Sequence, residues 1–108
     1  MTETTVQRWI DSAHLPPDVE PRYREILEAF CARIDKTPDE LVAFCFLRRK
    51  DTGERFVSVK RRRTVNAWID EFVADQGWTG KEAVVNANVI RGFLIHNAVL
   101  IQGPVWKG

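Results

Sequence analysis

The sequence has few of the residues that build metal sites, disulfide frameworks or membrane spans. Its only cysteines, Cys31 and Cys45, form no CxxC pair and have no histidine nearby, so neither a zinc site nor a disulfide framework is expected. Both cysteines fall in apolar helical patterns, which predicts two buried thiols. No apolar run approaches the roughly 20 residues that cross a bilayer, and the first residues lack the basic and then apolar layout of a signal peptide. We therefore expect a cytoplasmic protein that does not contact a membrane.

Motifs for catalysis and phosphate binding are also missing. The chain has no glycine-rich phosphate loop, no HExxH and no GxSxG. His14 and His96 fall at the predicted ends of helices, where an imidazole interacts with the last carbonyl groups, so both are interpreted as capping residues. The adjacent Asp70 and Glu71 point about 100° apart on a helix and make a poor catalytic pair. We therefore expect no enzymatic activity, no cofactor and no metal.

The charge of the chain is strongly polarised. A length of 108 residues with 44% hydrophobic content predicts one globular domain. Residues 48–63, here called the basic segment, carry eight basic and two acidic side chains, whereas residues 1–47 carry five basic and nine acidic ones. A local basic cluster is typical of proteins that bind a polyanion, most often nucleic acid. The alternative is a solvated helix face that only keeps the protein soluble.

Apolar spacing and helix-start signals in the first half of the chain predict three helices. The first covers residues 4–13 and is stopped by the prolines that follow. The second covers residues 21–34, where apolar side chains recur three and four positions apart. Thr37, Pro38 and Glu40 have the pattern of a capping box and predict the start of a third helix. That helix is expected to end or bend at residues 51–53.

The second half is predicted to hold two further helices. A long amphipathic helix is expected over residues 54–76, although the β-branched residues within 56–59 leave a short strand or an irregular lead-in as alternatives. A second capping pattern at residues 79–82 predicts a last helix over residues 80–97, with Val85, Val89, Ile90, Phe93 and Leu94 facing inward. The tail, residues 101–108, is expected to be loosely docked. The predicted fold class is all-α, a compact bundle of four or five short helices.

Two stretches of the chain carry motifs of a known family. Residues 22–41 contain a helix of the form Tyr-x-x-x-Leu-x-x-Phe followed by the cap Lys-Thr-Pro-Asp-Glu-Leu. Residues 77–94 end in Ile-Arg-Gly-Phe-Leu, close to an Ile-Arg-Ser-Phe-like run. Both stretches resemble the core-binding domain of tyrosine recombinases and phage-type integrases, and the resemblance covers about residues 20–97.

The resemblance implies a SAM-like helical bundle that forms one half of a clamp around duplex DNA, in DNA recombination and integration. It implies DNA contacts from basic and amide side chains at Arg22, Arg24, Lys60, Arg61, Arg62, Arg63, Lys81, Asn86, Asn88 and Arg91. The family's catalytic domain, with its arginine-histidine set and nucleophilic tyrosine, is not in this sequence. The chain is therefore expected to bind DNA without cutting it. It would act either beside a recombinase catalytic domain or as a free-standing relative.

A second function fits the same sequence. A small helical interaction or regulatory factor, including a phage-borne one, would bind a partner protein or a second copy of itself and not DNA. The near-neutral net charge and Trp106 in the tail favour this alternative. If DNA is the partner, replacing Arg61, Arg62 and Arg63 with alanine is expected to weaken binding and leave the melting temperature nearly unchanged.

Overall fold

A computed structural model describes residues 4–101, and within this range the chain forms five α-helices and one two-stranded sheet. The elements follow in the order α1 (Thr4–Ala13), α2 (Glu20–Arg33), α3 (Pro38–Phe44), β1 (Phe46–Arg48), β2 (Arg55–Val57), α4 (Val59–Asp75) and α5 (Gly80–Ile95). The expected helical bundle is thus confirmed in its coarse form, with a small sheet that an all-α fold does not include. Trp106 and most of the predicted loose tail lie outside the described residues, while Ile101 is buried.

The helix boundaries follow local capping chemistry. The Thr37 hydroxyl accepts a hydrogen bond from the Glu40 amide at 3.1 Å, and the Glu40 carboxylate accepts one from the Thr37 amide at 2.9 Å, which completes the predicted capping box. Ser58 caps α4 by accepting a hydrogen bond from the amide of Arg61. Thr79 precedes α5 but makes no side-chain capping bond, so the second predicted capping box is wrong.

The connection between α3 and α4 corrects the predicted helices. Helix α3 ends at Phe44 and not at residues 51–53, and α4 begins at Val59 and not at residue 54. Between them, β1 and β2 form an antiparallel hairpin with the register Phe46↔Val57, Leu47↔Phe56 and Arg48↔Arg55. Aromatic and β-branched residues favour this extended backbone. Gly53 has a φ of 72°, the left-handed conformation that the hairpin loop requires.

The core lies between the helices and is rich in aromatic contacts. Trp9 of α1 packs edge-on against Phe93 of α5, with 5.4 Å between ring centroids. Phe30 of α2 packs in the same way against Phe72 of α4 at 5.5 Å. These contacts join four helices around one core. Val85, predicted to face inward, is 46% exposed, because the buried stripe of α5 runs along its opposite side.

Buried polar contacts fix the start of α1 to the rest of the domain. The carboxylate of Asp39, in α3, accepts hydrogen bonds from both the amide and the hydroxyl of Thr5. The side-chain amide of Asn97 donates to the carbonyl oxygens of Thr5 at 3.1 Å and of Phe93 at 2.9 Å. Helix α1 is thereby held to α3 and to the end of α5, and the hairpin lies outside this network.

Candidate nucleic-acid interface

The basic segment falls on two adjoining elements, the hairpin and the first turn of α4. Ser58, the single residue between β2 and α4, donates its amide to the carbonyl of Cys45 at 2.9 Å and so fixes the base of the hairpin to the end of α3. The exposed basic side chains of the segment are Arg48, Arg49, Lys50, Arg55, Lys60 and Arg63. The remaining two, Arg61 and Arg62, are half-buried.

No carboxylate in residues 4–101 forms a salt bridge with the basic segment. The salt bridges of this range join Arg24 to Glu20, Arg33 to Glu71 and Asp75, and Arg91 to Asp70. The eight basic and two acidic side chains of the segment leave a formal charge of +6. No carboxylate of the described chain neutralises that charge through a salt bridge, and six of the eight basic side chains are exposed to an external anion.

The first turn of α4 concentrates this charge against the helix dipole. Residues 60–63 are four consecutive basic residues, and the turn contains no acidic residue. The amino-terminal end of a helix carries a partial positive charge, so basic side chains there are unfavourable by about 0.3–1 kcal/mol each at low ionic strength. An anion placed at this turn would relieve the repulsion and meet amide donors as well.

The hairpin holds its arginines on aromatic rings. The guanidinium carbon of Arg55 lies 3.7 Å from the centroid of Phe46, and that of Arg49 lies 5.6 Å from the centroid of Phe56, which is 38% exposed. The register puts Arg48 directly opposite Arg55, so the two like charges share one face of the ribbon. Like charges in directly opposed positions destabilise a sheet, and a bound anion would remove that penalty.

Arg61 and Arg62 are engaged with the protein itself. Arg61 lies over the Phe44 ring, 4.8 Å from its centroid, and donates to the Phe44 carbonyl at 3.0 Å. Arg62 donates from Nη1 to the carbonyl of Leu100, and its Nε is buried without a partner among the described residues. These two predicted DNA-binding residues therefore also support the fold, which distinguishes them from the neighbouring Lys60 and Arg63.

The other predicted DNA-binding residues lie on α2 and α5, away from the basic segment in sequence. Arg22 is exposed, and Arg24 is partly buried beside Glu20, with 3.6 Å between its Nε and the carboxylate. Lys81 and Asn88 are exposed on α5. The four side chains are accessible enough to meet a ligand, but within residues 4–101 only Arg24 of the four has a charged partner.

Asn86 and Arg91 lie in the interior, which corrects their assignment to DNA contact. They are 2% and 5% exposed. Arg91 donates from Nε to the side-chain oxygen of Asn66 at 3.0 Å and pairs with Asp70 at 3.4 Å. Burial lowers the pKa of Arg91, and Asp70 opposes that effect. Ala87 and Leu94 share the buried stripe of α5 with these residues, and that spacing in the sequence was the signal for their burial.

Within residues 4–101 we find no clustered groups of the kind that bind metals. No set of three or more His, Cys, Asp or Glu side chains is arranged to hold a metal ion in that range, and no helix there is long and apolar enough to cross a membrane. Both cysteines are buried thiols, as predicted. Burial raises the pKa of the Cys45 thiol to about 11, although Arg61 and Arg62 act in the opposite direction.

The two histidines lie at helix ends, as the sequence indicated. His96 is the C-cap residue of α5, and its Nδ1 lies 2.7 Å from the hydroxyl of Ser12. His14 follows the end of α1 with a φ of 52°. The Ser12–His96 contact joins the ends of α1 and α5, and no third side chain in the described chain is hydrogen-bonded to the imidazole.

The sequence-based list of DNA contacts did not include the hairpin arginines. That list was taken from the helical positions that match the family in the resemblance. Those positions do not include Arg48, Arg49, Lys50 and Arg55, which lie on or next to the strands of the hairpin. The signal that could have found them was the charge of the basic segment itself, which begins at residue 48.

Comparison of the chain with protein-family models, characterised proteins and solved structures gives no match.

Proposed function

We propose that this chain is a non-catalytic DNA-binding module that grips duplex DNA mainly through phosphate contacts, like the core-binding domain of a tyrosine recombinase that it resembles. The observation that carries the proposal is the basic segment, whose formal charge of +6 forms no salt bridge within residues 4–101. An uncompensated cluster of this kind attracts a polyanion. Duplex DNA offers regularly spaced phosphates that several of these side chains can contact at once.

The charge predicts how strongly salt weakens the complex. Each neutralised phosphate contributes a slope of about −0.9 to a plot of log affinity against log salt concentration. If four to six exposed side chains contact phosphates, the slope is roughly −4 to −5. The affinity would then fall by roughly 300-fold to 1,000-fold between 50 and 200 mM salt.

Fluorescence anisotropy with a labelled duplex at several salt concentrations tests the proposal. The expected result is saturable binding with the slope given above. Replacing Lys60 and Arg63 with glutamine removes two exposed charges from the basic segment and is expected to reduce the slope by about two. Absence of binding at low salt, or binding that does not depend on salt, would overturn the proposal.

A matched control removes equal charge from another part of the surface. Replacing Arg22 and Lys81 with glutamine also deletes two positive charges, on α2 and α5. A smaller effect than at Lys60 and Arg63 is expected if the basic segment is the main contact. An equal effect would mean that the whole surface contributes, as in the clamp that the resemblance implies.

A second candidate function is protein–protein interaction, and an apolar groove favours it. The groove lies between α1, α2 and α5, has a volume of about 300 Å³, and is lined in part by Trp9, Tyr23, Val85 and His96. An apolar concavity of this size can accept a side chain from a partner. Sedimentation analysis with and without DNA separates the two functions. Self-association that persists at high salt, without DNA binding, would favour this candidate.

A further inference from the structure

We infer that the hairpin of residues 46–57 enters the major groove of duplex DNA and that Arg48 and Arg55 contact base edges there. This inference rests on the proposed function and adds the element that reads the duplex. It is carried by the placement of two opposed arginines on an exposed two-stranded ribbon, a feature separate from the helices that supply phosphate contacts.

The dimensions of the hairpin match the groove. The major groove of B-DNA is about 12 Å wide and 8.5 Å deep and admits a two-stranded β-ribbon. Paired strands lie about 4.8 Å apart, and three residues extend about 10 Å. In residues 4–101 neither β1 nor β2 pairs with a third strand, and the main contact of the hairpin with another element is with α3. The ribbon therefore has free edges and a free tip.

The two arginines are held in place before any ligand arrives. Arg55 is stacked on Phe46, and Arg48 donates from Nη1 to the carbonyl of Gly53 at 3.2 Å. Both line a shallow cavity of about 310 Å³ with Ala43, Phe46 and Leu47. Because the stacking limits the freedom of the long side chain, less entropy is lost when it binds. Each guanidinium has further donors for a planar acceptor pair.

The chemistry of these side chains points to guanine. An arginine fork matches the O6 and N7 acceptors that guanine presents in the major groove, and this pairing is the commonest specific contact between proteins and DNA. Lysine lacks the planar fork, although it keeps the charge. Bases in the groove would also supply acceptors between Arg48 and Arg55, which repel one another in the free protein.

The same placement lets the rest of the basic segment contact the backbone. Helix α4 begins two residues after β2, so Lys60 and Arg63 follow directly from the base of the ribbon. Arg49 and Lys50 lie at the other end, beside the loop. A ribbon in the groove would therefore have basic side chains at its base and at its tip, where the two sugar-phosphate strands border the groove.

Methylation interference distinguishes the grooves. Duplexes selected from a random-sequence pool by the wild-type chain are treated with dimethyl sulfate, which methylates guanine N7 in the major groove and adenine N3 in the minor groove. We expect the wild-type chain to exclude duplexes methylated at particular guanines. The charge-preserving double variant Arg48→Lys, Arg55→Lys should weaken that exclusion, because lysine still donates to guanine but without the rigid fork. It should bind the selected duplex about 10-fold or more weakly, since a bidentate contact discriminates by about that factor.

A conservative substitution elsewhere on the hairpin serves as the control. Arg49→Lys changes the opposite face of the ribbon and should keep the guanine interference. Interference at adenine N3, or salt-dependent binding without any interference, would overturn the inference and leave the proposed function standing. No binding to any duplex at low salt would reject the proposed function together with the inference. Thermal melts of the variants should stay close to that of the wild type, since both side chains are exposed and lysine keeps a cation near the Phe46 ring.

Discussion

Replacing Arg61 and Arg62 with alanine is expected to destabilise the fold, whereas the same change at Lys60 and Arg63 should weaken DNA binding alone. The four residues are consecutive and equally charged, but their contacts differ. Arg61 covers the Phe44 ring and donates to the Phe44 carbonyl, and Arg62 donates to a carbonyl near the end of the described chain. Lys60 and Arg63 are exposed.

The magnitudes follow from those contacts. Loss of each hydrogen bond to a carbonyl contributes about 0.5–1.5 kcal/mol, and loss of the contact between Arg61 and the Phe44 ring about 0.5–1 kcal/mol. Removing the buried, unpartnered Nε of Arg62 offsets part of this loss of stability. The Arg61→Ala, Arg62→Ala variant should therefore lose about 2 kcal/mol, which lowers the melting temperature of a domain of this size by roughly 10 °C. Lys60→Ala, Arg63→Ala should stay within about 0.5 kcal/mol.

Circular dichroism melts and urea titrations of the two double variants measure the difference. DNA binding is then compared by anisotropy at a temperature where both variants are folded, so that reduced affinity is not confused with unfolding. Equal stability of the two variants, or a larger loss for Lys60→Ala, Arg63→Ala, would refute the assignment of structural roles to Arg61 and Arg62. The contacts thus change the sequence-based expectation that alanine at residues 61–63 leaves the melting temperature nearly unchanged.

Three further perturbations test other parts of the structure. Arg91→Ala should cost about 2–3 kcal/mol in urea denaturation, because it removes charged hydrogen bonds from the interior, while the salt slope of DNA binding stays unchanged. The Thr37 amide donates to the Glu40 carboxylate and lowers the pKa of Glu40 below 4.5. The ionised carboxylate therefore stabilises the folded protein above pH 4.5, and this contribution is lost as the pH falls through the lowered pKa. Glu40→Gln should flatten this part of the pH–stability curve, and an unchanged curve would contradict the capping role. In a Cys31→Ser variant, Cys45 should react with a thiol reagent only as fast as the protein opens, because burial raises its pKa to about 11; rapid labelling of the native protein would be inconsistent with its burial.

The sequence predicted most helices because their signals are local. A proline pair, an apolar stripe and a capping box lie within a few residues of one another, so α1, α2 and the start of α3 follow from neighbouring positions. The hairpin was anticipated only as an alternative, a short strand within residues 56–59, because a strand is defined by its partner, here across the loop from Phe46 to Val57. Residues 55–57 directly precede the start of a helix and include an arginine that also suits a helix, so only their pairing with β1 makes them a strand.

The candidate site was predictable in charge, but the contacts that hold its side chains were not. The run of basic residues was visible in the sequence. It begins at the end of β1 and finishes within the first half of α4. Burial of Arg91 depends on Asn66 and Asp70, which lie more than twenty positions away, so no local pattern could reveal these partners. The stacking of Arg55 on Phe46 is likewise a diagonal contact that exists only after the strands pair.

The hairpin packs against the interior at its base, through Phe46 and Val57, and this base is tied to α3 by the hydrogen bond from Ser58 to Cys45. Farther out, Arg49 and Arg55 rest on the hairpin's own aromatic rings. Its outward positions can consequently be randomised in a combinatorial library with small effect on folding. The same helical bundle would then carry many different hairpin sequences, and variants that bind other ligands could be selected without changing the helices.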